Sequence, residues 1–430
     1  MEQRRGGRGL QGSHFGSACR LLAILAALAV TASAGLAQQL RILTSMPPSL
    51  TDPFIAAFRQ EFPQADLLVL NKNTNSGIDE ITRGNARGFD IFWASSPEAF
   101  AVIGEHQGFD ASACPVLDAS GHASFALSSI GWARRAHAGI TMPGDWDDLL
   151  LPAYRGHIGM ALPSHSGTTH MMIERFLQVR GWEDGWDYFL RLTENLSTLT
   201  ARSFGVIDGV RSGRFDIGLT IDFLAEVEPD LDFRYGKPVM IFPAQIGRLA
   251  YGLEPGLACD FIGFVLSDAG QRLLLDPGVG RIPVAASLRD DAAAAIPDPM
   301  RDAIRHQWQG YDAGLAQQRF WAVNALFDIF ISDVLPRRRE LWERLRALQG
   351  HAAAAELAPI ERLLTRLPVS ESEAAREVLN ASPGRISDLI MMTPEQDEAR
   401  ADWAAAAARQ LDEADRALAV LERRAKGMRP

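Results

Sequence analysis

From Leu40 to about Val284, short apolar runs alternate with stretches in which apolar residues recur every three or four positions. That alternation predicts strands and helices layered into an α/β structure on a largely parallel sheet. Strands are expected at Leu40–Leu43, Asp66–Leu70, Phe89–Trp93, Gly156–Leu162, Leu196–Thr200 and Asp216–Ile221. Asp52-Pro53 reads as an N-cap followed by proline at the first helical position. Phe54, Ala57, Phe58 and Phe62 then share one face before Pro63 ends the helix. Ser96-Pro97 repeats the device, and further helices are expected over Thr169–Arg180 and Val206–Gly213. After about Ala285 strand-like runs vanish and the chain reads as helical. Thr393-Pro394-Glu395-Gln396 forms a capping box, and Trp403, Ala407, Leu411, Ala414, Leu418 and Leu421 then fall on one stripe. The stripe suits docking on the chain's own core or on a partner helix.

The N-terminus changes the compartment. Arg4, Arg5, Arg8 and Arg20 precede an apolar run from Leu21 to Val30, and small residues follow, the order of a secretory signal. Cleavage is expected after Ala37, which makes residues 1–37 a signal peptide. The run is shorter than the about 20 residues of a spanning helix. No cysteine follows it to carry a lipid, because Cys19 precedes it. The mature part, roughly 390 residues long, is sized for two domains and an extension. A net charge of −10 and a pI near 5.5 argue against nucleic acid, whose phosphates demand a basic face. Cys114 and Cys259 remain after signal removal; they either pair in an oxidising compartment or lie buried as free thiols.

Candidate chemistry collects where strands pass into helices. Thr44 and Ser45 follow the first strand, and Ser95 and Ser96 the third. Ser164, Ser166, Gly167, Thr168 and Thr169 follow the strand ending at Leu162, and Ser203 and Phe204 mark a further junction. Each junction offers hydroxyls and free backbone N–H groups at a helix start, where the helix dipole favours negative charge. Any one of them is explained by ordinary N-capping, but the 164–169 loop has more donors than one cap needs. Ligands of open α/β sheets bind beyond the carboxyl ends of strands, where these loops belong. Asp222, at the end of another strand, is expected to face the same crevice and take ligand hydroxyls or an ammonium group. Trp93 is a candidate to stack on the ligand, and Lys72 and Arg202 are candidate countercharges.

The chain resembles the extracellular solute-binding proteins of ABC importers, in the branch with iron-type and phosphoglycerate-type receptors. The resemblance is carried, in order, by Leu43-Thr44-Ser45, Phe89-Asp90-Ile91-Phe92-Trp93-Ala94-Ser95-Ser96, Trp146-Asp147-Asp148-Leu149, Tyr154-Arg155-Gly156-His157-Ile158 and the Pro163 to Thr169 loop. It continues through Asp216-Ile217-Gly218-Leu219-Thr220-Ile221-Asp222, Phe261-Ile262-Gly263-Phe264-Val265-Leu266-Ser267 and Arg281-Ile282-Pro283-Val284. It implies a two-lobed periplasmic-binding fold with two crossovers between lobes and closure about a hinge. Lobe one would hold 38–130 and 240–335, lobe two 131–239, and 336–430 would be a helical extension. It further implies a monomeric periplasmic receptor with no enzymatic activity and no cofactor. Its partner would be an inner-membrane permease or, in a regulatory relative, a sensor kinase.

Donor-rich junctions suit a phosphorylated or phosphonate-bearing anion, whose oxygens need fixed N–H and O–H groups. Ferric iron is the second reading. Iron-type relatives present adjacent tyrosines, and Tyr154, Tyr188, Tyr235, Tyr251 and Tyr311 contain no adjacent pair. His157, His165 and His170 match no standard metal spacing. A hydrolase using Ser166, a histidine and Asp222 lacks the Gly-x-Ser-x-Gly elbow.

Overall fold

The computed structural model describes residues 39–112, 114–292, 295–306, 311–380 and 392–427. The expected signal peptide, residues 1–37, lies outside the described residues. In chain order the strands are β1 (Gln39–Thr44), β2 (Asp66–Asn71), β3 (Ile91–Ala94), β4 (His122–Arg135), β5 (Ile158–Ala161), β6 (Leu196–Thr200), β7 (Ile217–Ile221), β8 (Leu231–Arg248) and β9 (Ile282–Pro283). The helices that frame the site are α1 (Pro48–Glu61), α2 (Thr74–Thr82), α3 (Pro97–Glu105), α4 (Gly167–Arg180), α5 (Trp182–Leu192), α6 (Ser203–Arg211), α7 (Asp222–Glu226) and α8 (Pro255–Leu266).

The six expected strands are present with ends shifted by at most two residues, but the two longest, β4 and β8, carried no periodic signal. The strand order is β2-β1-β3-β8-β4-β7-β5-β6, with β9 against β4. β1 pairs in parallel with β2 and β3, and β5 with β6 and β7, whereas β4 and β8 run antiparallel to their partners. The sheet is therefore mixed rather than largely parallel. Phe125 to Ala133 of β4 are all buried, and a strand covered on both faces shows no alternation of apolar and polar residues.

β4 and β8 also join the two lobes. Residues 122–130 of β4 pair with 240–247 of β8, and residues 131–135 pair with 231–235. Between these ladders β8 steps from Met240 to Tyr235 while β4 advances one residue. Gly131 sits at the step, where a Cβ would lie 2.1 Å from the Arg234 carbonyl oxygen. Only glycine fits an approach that close.

In the first lobe, Leu40, Ile42, Phe54, Phe58, Trp93, Phe125 and Phe261 form one core. The disulfide Cys114–Cys259, with Cα atoms 5.4 Å apart, ties the segment before β4 to α8. α1 begins at Pro48, five residues before the expected start, so Pro53 lies inside it. The Pro47-Pro48 pair presets the first helical φ, and burial of Leu50 and Thr51 fixes the extra turn.

The second lobe packs Trp132, Trp146, Met160, Phe176, Trp186 and Phe189 together, and this core also takes in Ala322, Leu326, Phe330 and Leu335. The stretch from 322 to 335 thus buries its apolar side against that core, while Phe320 packs against the cluster of Leu43, Phe92 and Phe100. Arg319 reinforces the seam through Glu174 of α4, at 2.7 Å with both side chains at most 1% exposed. Beyond it, the helices Leu335–Ala347, Ala354–Thr365 and Pro394–Ala425 share a core of Leu341, Trp342, Leu345, Ile360, Leu364, Leu411 and Leu418. The six stripe residues are all buried, with Trp403 and Ala407 reaching the second lobe's core. Thr393 and Gln396 cap each other as the sequence indicates. The extension docks on its own chain.

Candidate functional site

Four strand-to-helix junctions, two from each lobe, meet in one cleft. Ser45 and Pro47 precede α1, and Ser95 and Ser96 precede α3. Ser166 to Thr168 open α4, and Ser203 opens α6; all of these line the same cavity. Two of the serines cap in the ordinary way, Ser96 Oγ accepting from Ala99 N at 3.4 Å and Ser166 Oγ from Thr169 N at 3.3 Å. Capping holds the hydroxyls at the helix mouths, where unpaired N–H groups also point. The cavity measures about 40 Å³, room for on the order of three water molecules. Among the described residues, Arg202 and His165 are its only ionisable side chains, and no carboxylate and no tyrosine lines it.

Of the residues singled out from sequence as ligand contacts or countercharges, Ser45, Ser95, Ser96, Ser166, Gly167, Thr168, Arg202, Ser203 and Phe204 line the cavity. Six do not. Thr44 is buried and donates to the Trp93 carbonyl at 2.7 Å. Trp93 is fully buried, edge-on to Phe54, Phe125 and Phe261. Ser164 turns its hydroxyl to Asp328 at 3.1 Å, and Thr169 turns its own to Ser166 at 3.1 Å. Asp222 faces the junction of the lobes rather than the crevice. Its carboxylate accepts from Ser129 N and Phe223 N, both at 2.8 Å, and from the Tyr235 hydroxyl at 3.4 Å. Burial pushes its pKa up to about 8, Glu226 adding to the shift. Lys72 pairs with Glu80 at 2.6 Å. His157 bonds Asp216 and His170 bonds Asn324, so the three histidines do not converge.

Sequence reasoning missed Arg281. It is 2% exposed, its guanidinium lies 4.0 Å from the Phe223 ring, and Nη2 donates to Ser95 Oγ at 2.9 Å. Burial pushes its pKa down to about 9, with Asp222 opposing that shift. The available signal was an isolated arginine at the head of the Ile-Pro strand β9.

The lobes touch across the cleft. Arg202 of the second lobe bonds Asn71 Oδ1 at 2.6 Å and the carbonyls of Ser45 and Lys72 at 3.0 and 3.1 Å, with its guanidinium 4.6 Å from the Phe204 ring. Asn75 donates to the Ser164 carbonyl at 2.6 Å, and Gly167 N to Thr74 Oγ1 at 3.3 Å.

Residues 132–313 match the family model of bacterial extracellular solute-binding proteins. The phosphoglycerate transport regulatory protein PgtC of Salmonella typhimurium is 30% identical over 361 residues, 79% of this chain and 88% of that protein. Among solved structures, the periplasmic binding protein AfuA of Actinobacillus pleuropneumoniae, with exogenous fructose-6-phosphate bound, superposes with a TM-score of 0.54. The identity is 19%, over 58% of this chain and 86% of that one. The ferric binding protein of Campylobacter jejuni has a TM-score of 0.50 at 13% identity, over 62% of this chain and 97% of that one.

Proposed function

This chain belongs to the bacterial extracellular solute-binding proteins, and from that premise we propose that it is the periplasmic receptor of an ABC importer for a small phosphorylated or phosphonate-bearing organic anion. The carrying observation is the convergence of four helix starts and their hydroxyls on a cleft with no carboxylate in its lining among the described residues. Each helix start presents roughly half a positive charge, and each hydrogen bond to an ionised oxygen contributes about 1.5–3 kcal/mol. A phosphoryl group uses several such donors at once. Fructose-6-phosphate, bound in the AfuA structure, and the phosphoglycerate in the name of PgtC belong to this chemical class.

Ligand-holding roles fall to Ser45, Ser95, Ser96, Ser166, Gly167, Thr168 and Ser203, with Phe204 and Arg202 at the mouth. The cavity is the size of an oxyanion group, so the organic remainder of a ligand must part the lobes. We place the hinge at the step between the β4–β8 ladders, which supports lobe boundaries near 130/131 and 239/240. Residues 1–37 would direct export and then be removed.

The family and fold are those of binding proteins. A hydrolytic triad finds no support, because Ser166 Oγ is engaged by Thr169 and Ser203 while Asp222 is bonded to Ser129, Phe223 and Tyr235. The PgtC name supports a second output for the same closed receptor, signalling to a membrane sensor. Calorimetric titration of the mature protein with 3-phosphoglycerate, hexose phosphates, aminoethylphosphonate and ferric citrate tests the ligand class. Tight binding of the iron salt alone would overturn it.

A further inference from the structure

Ser95 has one proton to give, and the direction of its hydrogen bonds decides what it can bind. Arg281 is a donor only, so in the 2.9 Å contact the guanidinium gives and the serine oxygen receives. The described structure shows no acceptor for the Ser95 proton within the protein, and Ser95 lines the cleft. A donor fixed behind the oxygen leaves the O–H to point into the cavity.

Arg281 has no carboxylate within ion-pair distance among the described residues. Asp222 acts on it only over a longer range, and Glu226 acts in turn on Asp222. The other groups against it are Phe223, Phe125 and the Met46 sulfur, and its Nε is buried without a partner. A buried cation so weakly compensated projects its field forward through Ser95, because little water is present to screen it.

We propose that Arg281 is a specificity-determining residue, which commits the Ser95 proton to the cleft and makes the site select the doubly ionised phosphoryl group over singly charged oxyanions, ammonium groups and metal cations. This rests on the anion-binding reading above. Arg281 acts through Ser95 and its field, as a positioning residue.

The test is titration of wild type, Arg281→Met, Arg281→Lys and Ser95→Ala with glucose 6-phosphate, 3-phosphoglycerate and glucose 6-sulfate between pH 5 and 7. A phosphate monoester has a second pKa near 6, so its dianion fraction falls by about tenfold over that range. Wild-type affinity for the phosphates should fall about tenfold with it. The sulfate ester does not titrate there, and its flat profile controls for His165, Asp222 and Glu226. Arg281→Met should weaken phosphate binding by about tenfold or more at pH 7 and flatten the pH profile, while Arg281→Lys keeps the slope. Ser95→Ala, which leaves the buried cation in place, should lose about tenfold and keeps the idea testable if Arg281→Met does not fold. Phosphate binding with a flat wild-type profile, or with Arg281→Met and Ser95→Ala both within twofold of wild type, overturns this inference alone. Failure of both phosphates and of aminoethylphosphonate to bind sinks the functional reading and this inference with it.

Discussion

Gly167 gives the most direct way to separate folding from closure. It is the first residue of α4, in the second lobe, and it faces the first lobe across the cleft. A Cβ built there meets Ser96 Cβ at 2.7 Å and Thr74 Oγ1 at 2.9 Å, both closer than packed atoms tolerate. Gly167 is not among the positive-φ glycines, so alanine suits its backbone. Within the second lobe Gly167→Ala should therefore be neutral or gain about 0.5–1 kcal/mol from the lost freedom of the unfolded chain. Across the cleft the added methyl is an overpacking change, which typically costs about 1–3 kcal/mol and corresponds to a roughly 5- to 150-fold weaker Kd. Calorimetry gives the affinity, small-angle scattering the compaction on ligand addition, and thermal melting the stability of the lobes. The expected pattern is weaker binding, less compaction and an unchanged or slightly higher Tm. Wild-type affinity with full compaction would refute the closed contact as the bound arrangement; a Tm loss of several degrees would show that the glycine serves the lobe's own fold.

Two further outcomes concern stability. The Cys114–Cys259 bond spans 145 residues of sequence, so in the chain-entropy account its removal in a Cys114→Ser, Cys259→Ser double variant should cost about 4–5 kcal/mol; equal denaturant midpoints for variant and oxidised wild type would contradict this. Glu98 is wholly buried with Ser96 Oγ at 2.9 Å and one carboxylate oxygen unpartnered, and burial pushes its pKa up to about 8. The native state therefore holds a proton that the unfolded chain releases above pH 4.5, and stability drains as pH rises from there to about 8. Glu98→Gln cannot ionise, so denaturant melts should show a shallower decline over that window, by on the order of a few kcal/mol; parallel wild-type and variant profiles would mean that the carboxyl is ionised in the fold.

Elements whose signal is local were legible in the sequence. Strand β6 falls on the expected residues, Ser96-Pro97 starts a helix, and the Thr393 capping box starts the long C-terminal one. These depend on periodicity or on a cap within four residues. β4 and β8 depend on neighbours far away along the chain, and in β4 burial on both faces erased the alternation that marks a strand. The early start of α1 was hidden for the opposite reason: Asp52-Pro53 imitates a helix start that Pro47-Pro48 had already supplied.

The site divides along the same line. Hydroxyls at strand-to-helix junctions were identifiable because capping is a local habit, and eight of them or their neighbours line the cleft. Direction was not identifiable. Thr44 and Ser45 are consecutive, yet one hydroxyl turns into the protein while the other residue lines the cavity. Asp222 stands at a strand end as Ser95 does, but Ser129 and Tyr235 of the two crossing strands claim its oxygens. Pairing of β9 with β4 brings Arg281 behind Ser95 from 186 residues away. A pattern of caps can thus announce that a chain gathers donors at one cleft. Which serine gives its proton, and against what charge, is decided by contacts that only the joined lobes create.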